Sequence, residues 1–185
     1  MNQYYLMSQL PSLDTVGESG GLPITEERFF ELCSRFLGKK ALKALCTLSL
    51  VPAPDAEKSG SAWIDTWHDC ERKLRLALAA ERAGKLKKNF ESQAAFLPLQ
   101  TVQTARAAVS ADDPMEAERT LNRFRLERLE AMRPADGFSE DAVFYYGCKL
   151  KLLQRMQDFD ENRGREKYRN IYASIMRGDG QEVQS

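Results

Sequence analysis

The stretch Ser61-Ala62-Trp63-Ile64-Asp65-Thr66-Trp67-His68-Asp69-Cys70-Glu71-Arg72-Lys73-Leu74-Arg75-Leu76-Ala77-Leu78 decides the fold. Trp63, Trp67, Cys70, Leu74 and Ala77 recur at steps of four, three, four and three, with Leu78 adjoining. That spacing lines one side of an α-helix, whereas a half-buried strand would alternate. Ser61 opens this helix, and the pattern predicts that it runs to about Ala83, with Gly84 as its stop.

Upstream, Thr25 is an N-cap with Glu26 and Glu27 in the first turn. Phe29, Phe30, Leu32, Cys33, Phe36 and Leu37 follow at helical spacing up to Gly38. A second helix is expected from Lys39 to about Leu50, with Leu42, Leu45, Cys46 and Leu48 largely on one side, before Pro52 and Pro54 break it. The opening segment, Met1 to Pro11, is short and apolar and reads as a strand or an extended arm. It is followed by a loop through Gly17, Gly20 and Gly21.

Downstream, Phe90 to Val109 reads as a weaker helical stretch interrupted at Pro98. Asp113-Pro114-Met115-Glu116 combines an acidic N-cap, proline at the first helical position and a glutamate three residues after the cap. The helix it starts should reach Arg133, its acids early and its arginines late. Ser139, Glu140 and Asp141 begin a long helix carrying Val143, Tyr146, Leu150, Leu153 and Met156 or Gln157, with a break at Gly164. A last helix holds Tyr168, Ile171, Tyr172 and Ile175. The expectation is an all-α bundle of six or seven helices. It forms one domain over 1–176, with an N-terminal arm at 1–23 and a disordered polar tail at 177–185.

The 185 residues carry 27 basic and 27 acidic side chains. Neutrality argues against a dedicated nucleic-acid or membrane-surface protein. A chain of this length buries about 70% of its unfolded surface, so a core needs no disulfide or metal to hold it. Cys33, Cys46, Cys70 and Cys148 are at least thirteen residues apart, which fits neither a redox CxxC nor a zinc knuckle. Each falls in an apolar helical pattern and is expected to be a buried, reduced thiol. With no leader-like start and no apolar run long enough to span a bilayer, the chain is expected to be soluble and cytoplasmic.

Signals for chemistry are sparse. His68 is the one histidine, and any histidine-dependent mechanism would run through it. Its neighbours Asp69 and Cys70 point away from it on a helix, so no triad forms locally. It is expected to be a partly exposed helix histidine able to pair with Glu71 or Arg72. Neither Gly17-Glu18-Ser19-Gly20-Gly21 nor Gly38-Lys39 has the form of a phosphate loop. The acid pairs Asp112/Asp113 and Asp158/Asp160 fall at helix edges, where capping or solvation explains them. No catalytic, cofactor or metal residue is assigned.

One segment is strongly asymmetric. Glu71 to Lys88 holds Arg72, Lys73, Arg75, Arg82, Lys85, Lys87 and Lys88 against Glu71 and Glu81. The plain reading is a solvated helix face with a basic C-terminal end. The functional one is a surface for an acidic protein partner or, less well supported because no interleaved aromatics accompany it, for RNA.

Tyr4-Tyr5-Leu6-Met7, followed by Leu22-Pro23-Ile24-Thr25-Glu26-Glu27-Arg28-Phe29, resembles the opening of the C-type subunit of V-type ATPases, the d-type in eukaryotes. Trp67 to Arg75 is similar to a basic helix of that family in charge spacing more than in residue identity. A closer resemblance is to short bacterial proteins encoded alongside V-type ATPases, which look like abbreviated relatives of the C-type family. It rests on Leu10-Pro11-Ser12-Leu13, Asp113 to Glu118, Phe138 to Val143, Lys149 to Arg155 and Phe159 to Gly164. The C-type proteins are longer and built from three related helical units, whereas this chain has no clear internal repeat, so the likeness is to part of that fold.

The resemblance implies a non-catalytic central-stalk, connector or assembly component coupling the membrane ring to the shaft. Its partners would be V-type ATPase stalk or membrane-ring proteins, with no small-molecule substrate, on the cytoplasmic side of the membrane. Arg72, Lys73, Arg75, Arg82 and Lys85 are then the expected partner-binding residues, while Trp63, Trp67 and Leu74 are expected in the core. The alternative is a helical RNA-binding or regulatory adaptor using the same basic surface.

Overall fold

A computed structural model describes residues 2–14, 16, 21–55, 57–88, 97–158, 164–165 and 168–173. Within them the chain is all-helical, without a strand. The helices are α1 (Asn2–Gln9), α2 (Glu26–Phe36), α3 (Lys39–Thr47), α4 (Ala62–Lys85), α5 (Leu99–Ser110), α6 (Pro114–Ala131) and α7 (Glu140–Asp158). A short helical stretch follows at 168–173. The expected tail at 177–185, Asp160, Ile175 and the part of the weak helix at 90–96 lie outside the described residues.

The start signals act as the side-chain chemistry requires, because the first amides of a helix have no partner within it. The Thr25 hydroxyl accepts the Arg28 N–H at 3.2 Å, and the Ser61 hydroxyl the Ile64 N–H at 3.4 Å. Asp113 accepts from the Met115 N–H at 3.0 Å, and Ser139 from the Ala142 N–H at 3.1 Å.

Several ends differ from the sequence reading. The opening segment is neither strand nor extended arm: it is α1, with Leu6 fully buried and Tyr4 and Tyr5 turned outward. So short an apolar run does not reveal its period. Gly38 is the N-cap of α3 and not the end of α2, whose C-cap is Leu37. The next helix stops at Thr47, short of Leu50. α4 runs through Gly84, and the residue that turns the chain is Lys87, at φ 52°. The Lys88 N–H reaches the Ala83 carbonyl and the Lys87 N–H the Gly84 carbonyl, the bond pair of a left-handed helix stop. α6 ends at Ala131, just short of the expected Arg133.

Trp63, at the start of α4, donates its indole N–H to the Met132 carbonyl at the end of α6, at 2.9 Å. At the end of α4, Lys85 donates to the Val109 carbonyl near the end of α5, at 3.1 Å. Arg155 near the end of α7 meets Glu118 near the start of α6. Helices α4, α5 and α7 therefore run one way and α6 runs back between them.

Two apolar clusters lie along this frame. The larger joins α1, α2, α3, the first turns of α4, the end of α6 and α7, with Phe29, Leu45, Trp67, Leu129 and Leu150 at its centre. The smaller holds Leu74, Ala77 and Leu78 of α4 against Ala105, Ala108, Leu121 and Phe124. In sequence, buried polar residues stand between them on both helices that contribute to each, His68 and Glu71 on α4 and Arg125 on α6, with buried Asn122 one turn before Arg125. There Arg125 Nε donates to Glu71 Oε1 at 2.9 Å and its Nη1 to the Asn122 amide oxygen at 3.1 Å. Glu71 Oε2 makes no hydrogen bond among the described residues.

Two burial expectations need correction. His68 is buried, and its Nε2 accepts the Ser49 backbone N–H at 3.2 Å instead of pairing with Glu71 or Arg72. Cys46 is exposed and Cys70 half-buried, leaving Cys33 and Cys148 as the buried thiols. On α3 the face against the core is Ala41, Ala44 and Leu45, which turns Cys46 outward.

Candidate functional site

The basic residues of α4 divide into two kinds. Lys73 pairs with Asp69 one turn back at 2.6 Å, a contact that raises its pKa, and Lys85 is held by the Val109 carbonyl. Arg72, Arg75 and Arg82 form no ion pair among the described residues. At 3.6 residues per turn these three fall within about 80° of one another around the helix, over about 15 Å of its length. Arg72 is half-buried, Arg75 and Arg82 exposed. The sequence-based surface is therefore an arginine ridge of three, with two lysines engaged internally.

Arg82 stands one turn beyond Leu78 and also borders a groove of about 320 Å³ between α4, α5 and the start of α6. Leu78, Ala108, Met115, Ala117 and Leu121 give this groove its apolar lining. Glu118, also on its wall, is bound to Arg155 at 3.0 Å. Trp63, Trp67 and Leu74 are buried, as expected of core.

A second polar cluster escaped the sequence reading. Lys149 of α7 is buried, and its ammonium donates to Asp14 at 2.7 Å and to Glu130 at 2.8 Å. Tyr145 donates its hydroxyl to Glu130 at 2.7 Å, and Arg133 bonds Glu130, Tyr145 and Asp14. The Tyr146 hydroxyl holds the Pro11 carbonyl at 2.9 Å. Burial would lower the Lys149 pKa, but its bonds to Asp14 and Glu130 outweigh that and raise it. The hydrogen bond from Lys149 heads the causes that lower the pKa of Asp14. The ammonium is thus kept charged and bound, unsuited to act as base or nucleophile. Two cations face two carboxylates beside a cavity of about 240 Å³, and the arrangement fastens the Pro11–Asp14 segment to α7.

Elsewhere, burial pushes the Cys33 thiol up to about 12 and Cys148 well above its ordinary value, so neither favours the reactive thiolate. Burial, and next the Arg72 cation, lower His68. Among the described residues no three His, Cys, Asp or Glu side chains gather in a way that could hold a metal, and no helix is long and apolar enough to cross a membrane.

Against this geometry, a model of a family of proteins of unknown function, DUF2764, matches residues 87–179, half of the chain. The chain belongs to that family. The DUF2764 match takes in α5, α6 and α7, hence two of the three walls of the apolar groove, and begins just after the arginine ridge. No curated protein and no solved structure matches the chain.

Proposed function

We propose that this chain is a non-catalytic docking protein of a V-type ATPase, either a central-stalk connector of the C-type kind or an assembly component, coupling the membrane ring to the shaft. The observation that carries the docking role is the α4 ridge: half-buried Arg72 and exposed Arg75 and Arg82 line one side of the helix, and none of the three has an ion pair among the described residues. Three uncompensated guanidinium groups in line suit the carboxylates of a partner. The partner's identity rests on the resemblance of the helix starts and stripes to the C-type family and its short bacterial relatives. A connector needs a stiff helical body with charged docking faces, and α4, α6 and α7 provide one. The protein would sit on the cytoplasmic side, held to the membrane through its protein partners.

The test is to purify the intact ATPase from native membranes by its catalytic subunits and search the complex, and its assembly intermediates, for this chain by mass spectrometry. Its presence in near-stoichiometric or assembly-specific amounts is expected. Its absence from every such fraction overturns the proposal. The same ridge is the basis of the second reading, an RNA-binding adaptor, which requires affinity that falls steeply as salt rises.

A further inference from the structure

We infer that the groove beside Arg82 receives an apolar side chain from an acidic, amphipathic helix of a partner protein, whose carboxylates lie along Arg75 and Arg72. This rests on the docking role proposed above and names the kind of segment recognised. The groove is concave because Ala108 and Ala117 are short where Leu78, Met115 and Leu121 are long, leaving about 320 Å³. Its wall carries two charges. Glu118 is answered by Arg155, whereas Arg82 is exposed and pairs with no carboxylate among the described residues. An arginine can lay its aliphatic stem along such a wall while its head stays in water.

The uncompensated charge at the groove is therefore positive, and it continues up α4 through Arg75 to Arg72. Complementarity asks for a segment with an apolar residue at one end and carboxylates over about ten further helical residues, the rise that spans the ridge. A small anion is less suited, because the three arginines are strung along the helix and do not converge. RNA is less suited as well. The exposed aromatic residues described are Tyr4, Tyr5, Phe138, Tyr168 and Tyr172, none on α4, so the ridge lacks a stacking platform for bases.

The experiment measures fluorescence anisotropy of the full chain with three labelled probes. One is a helical peptide of roughly 18 residues with leucines on one face and glutamates on the other. The second replaces the leucines by alanine at the same charge, and the third is a single-stranded RNA. The leucine peptide is expected to bind at least about tenfold more tightly than the alanine peptide, the return on burying one large side chain. Ala117→Phe, which fills the groove, should erase that difference and leave the weak binding of the alanine peptide unchanged. Met115→Gln, uncharged and well suited to the helix, makes the groove polar without altering the charge of the ridge and gives the same readout if Ala117→Phe fails to fold. Arg75→Glu with Arg82→Glu should weaken both peptides.

Equal binding of the two peptides, or indifference to both groove variants, overturns the groove inference and leaves the basic docking face standing. Binding of RNA with no binding of either peptide overturns both. Failure of all three probes to bind overturns the inference as well.

Discussion

Glu71 and Arg125 form a salt bridge between α4 and α6 with side chains only 3% and 9% exposed. Replacing Arg125 by methionine leaves a buried carboxylate whose Oε2 already lacks a partner among the described residues. The expected cost is about 3–5 kcal/mol, the usual result of stranding one member of a buried pair. For a chain of this size that lowers Tm by roughly 6–20 °C. Glu71→Leu strands the guanidinium with the Asn122 amide oxygen alone, and the cost is again about 3–5 kcal/mol. The double variant is different. Leucine and methionine fill similar volumes and would join the two apolar clusters, so its stability is expected well above either single variant and below the parent by at most about 1–3 kcal/mol, the cost of leaving the buried Asn122 amide oxygen without Arg125. Urea unfolding at constant pH, read by circular dichroism, gives the four free energies of the cycle. Coupling below about 0.5 kcal/mol would refute the reasoning, because the two charges would then be solvated and independent.

Three further outcomes follow from the same structure. Burial, with the Arg72 cation next and Asp65 opposing, holds His68 below 6.5. The fold therefore favours the neutral ring that accepts the Ser49 N–H, and this contribution is complete above about pH 6.5 and lost as pH falls through the native pKa. Urea midpoints of the parent should drop across that range, those of His68→Gln should drop less, and identical slopes would contradict the assignment. In a brief iodoacetamide pulse on native protein, peptide mapping should find Cys46 labelled first, Cys70 more slowly, and Cys33 and Cys148 only on unfolding. Early labelling of Cys148 would show that α7 is not packed as described. Gly147→Ala puts a methyl 2.9 Å from the buried Phe29 ring, which is itself stacked on Tyr146. The helical gain of about 1 kcal/mol is outweighed by overpacking of about 1–3 kcal/mol, so Tm falls by a few degrees. A rise in Tm would mean that Phe29 can move aside.

The helices and their starts are legible in the sequence because they rest on local chemistry. Four hydroxyl or carboxylate caps and the α4 stripe can be read from spacing alone. What is not legible depends on partners distant in sequence. Glu71 sits four residues after Trp67 and three before Leu74, squarely on the buried stripe, and Arg125 falls midway between Leu121 and Leu129. A charge on each of two apolar stripes is a signal of a buried pair, but which stripes meet is decided by tertiary packing. Lys149, three residues after Tyr146 on the α7 stripe, carries the same signal. His68 departs from its sequence reading because its partner is a backbone amide in the loop after α3. The sequence offers five residues for the ridge, and only the fold shows that Lys73 and Lys85 are engaged while three arginines remain unpaired among the described residues. The groove comes from three helices and has no sequence signature of its own.

The most direct measurement is quantitative mass spectrometry of proteins retained by the tagged chain in its native cells, comparing the parent with Arg75→Glu/Arg82→Glu. The double variant should fold with the parent's circular dichroism, since both side chains are exposed. The account predicts that V-type ATPase shaft or ring proteins accompany the parent and are lost from the variant. Equal recovery with both proteins, or no shaft or ring protein with either, would contradict it.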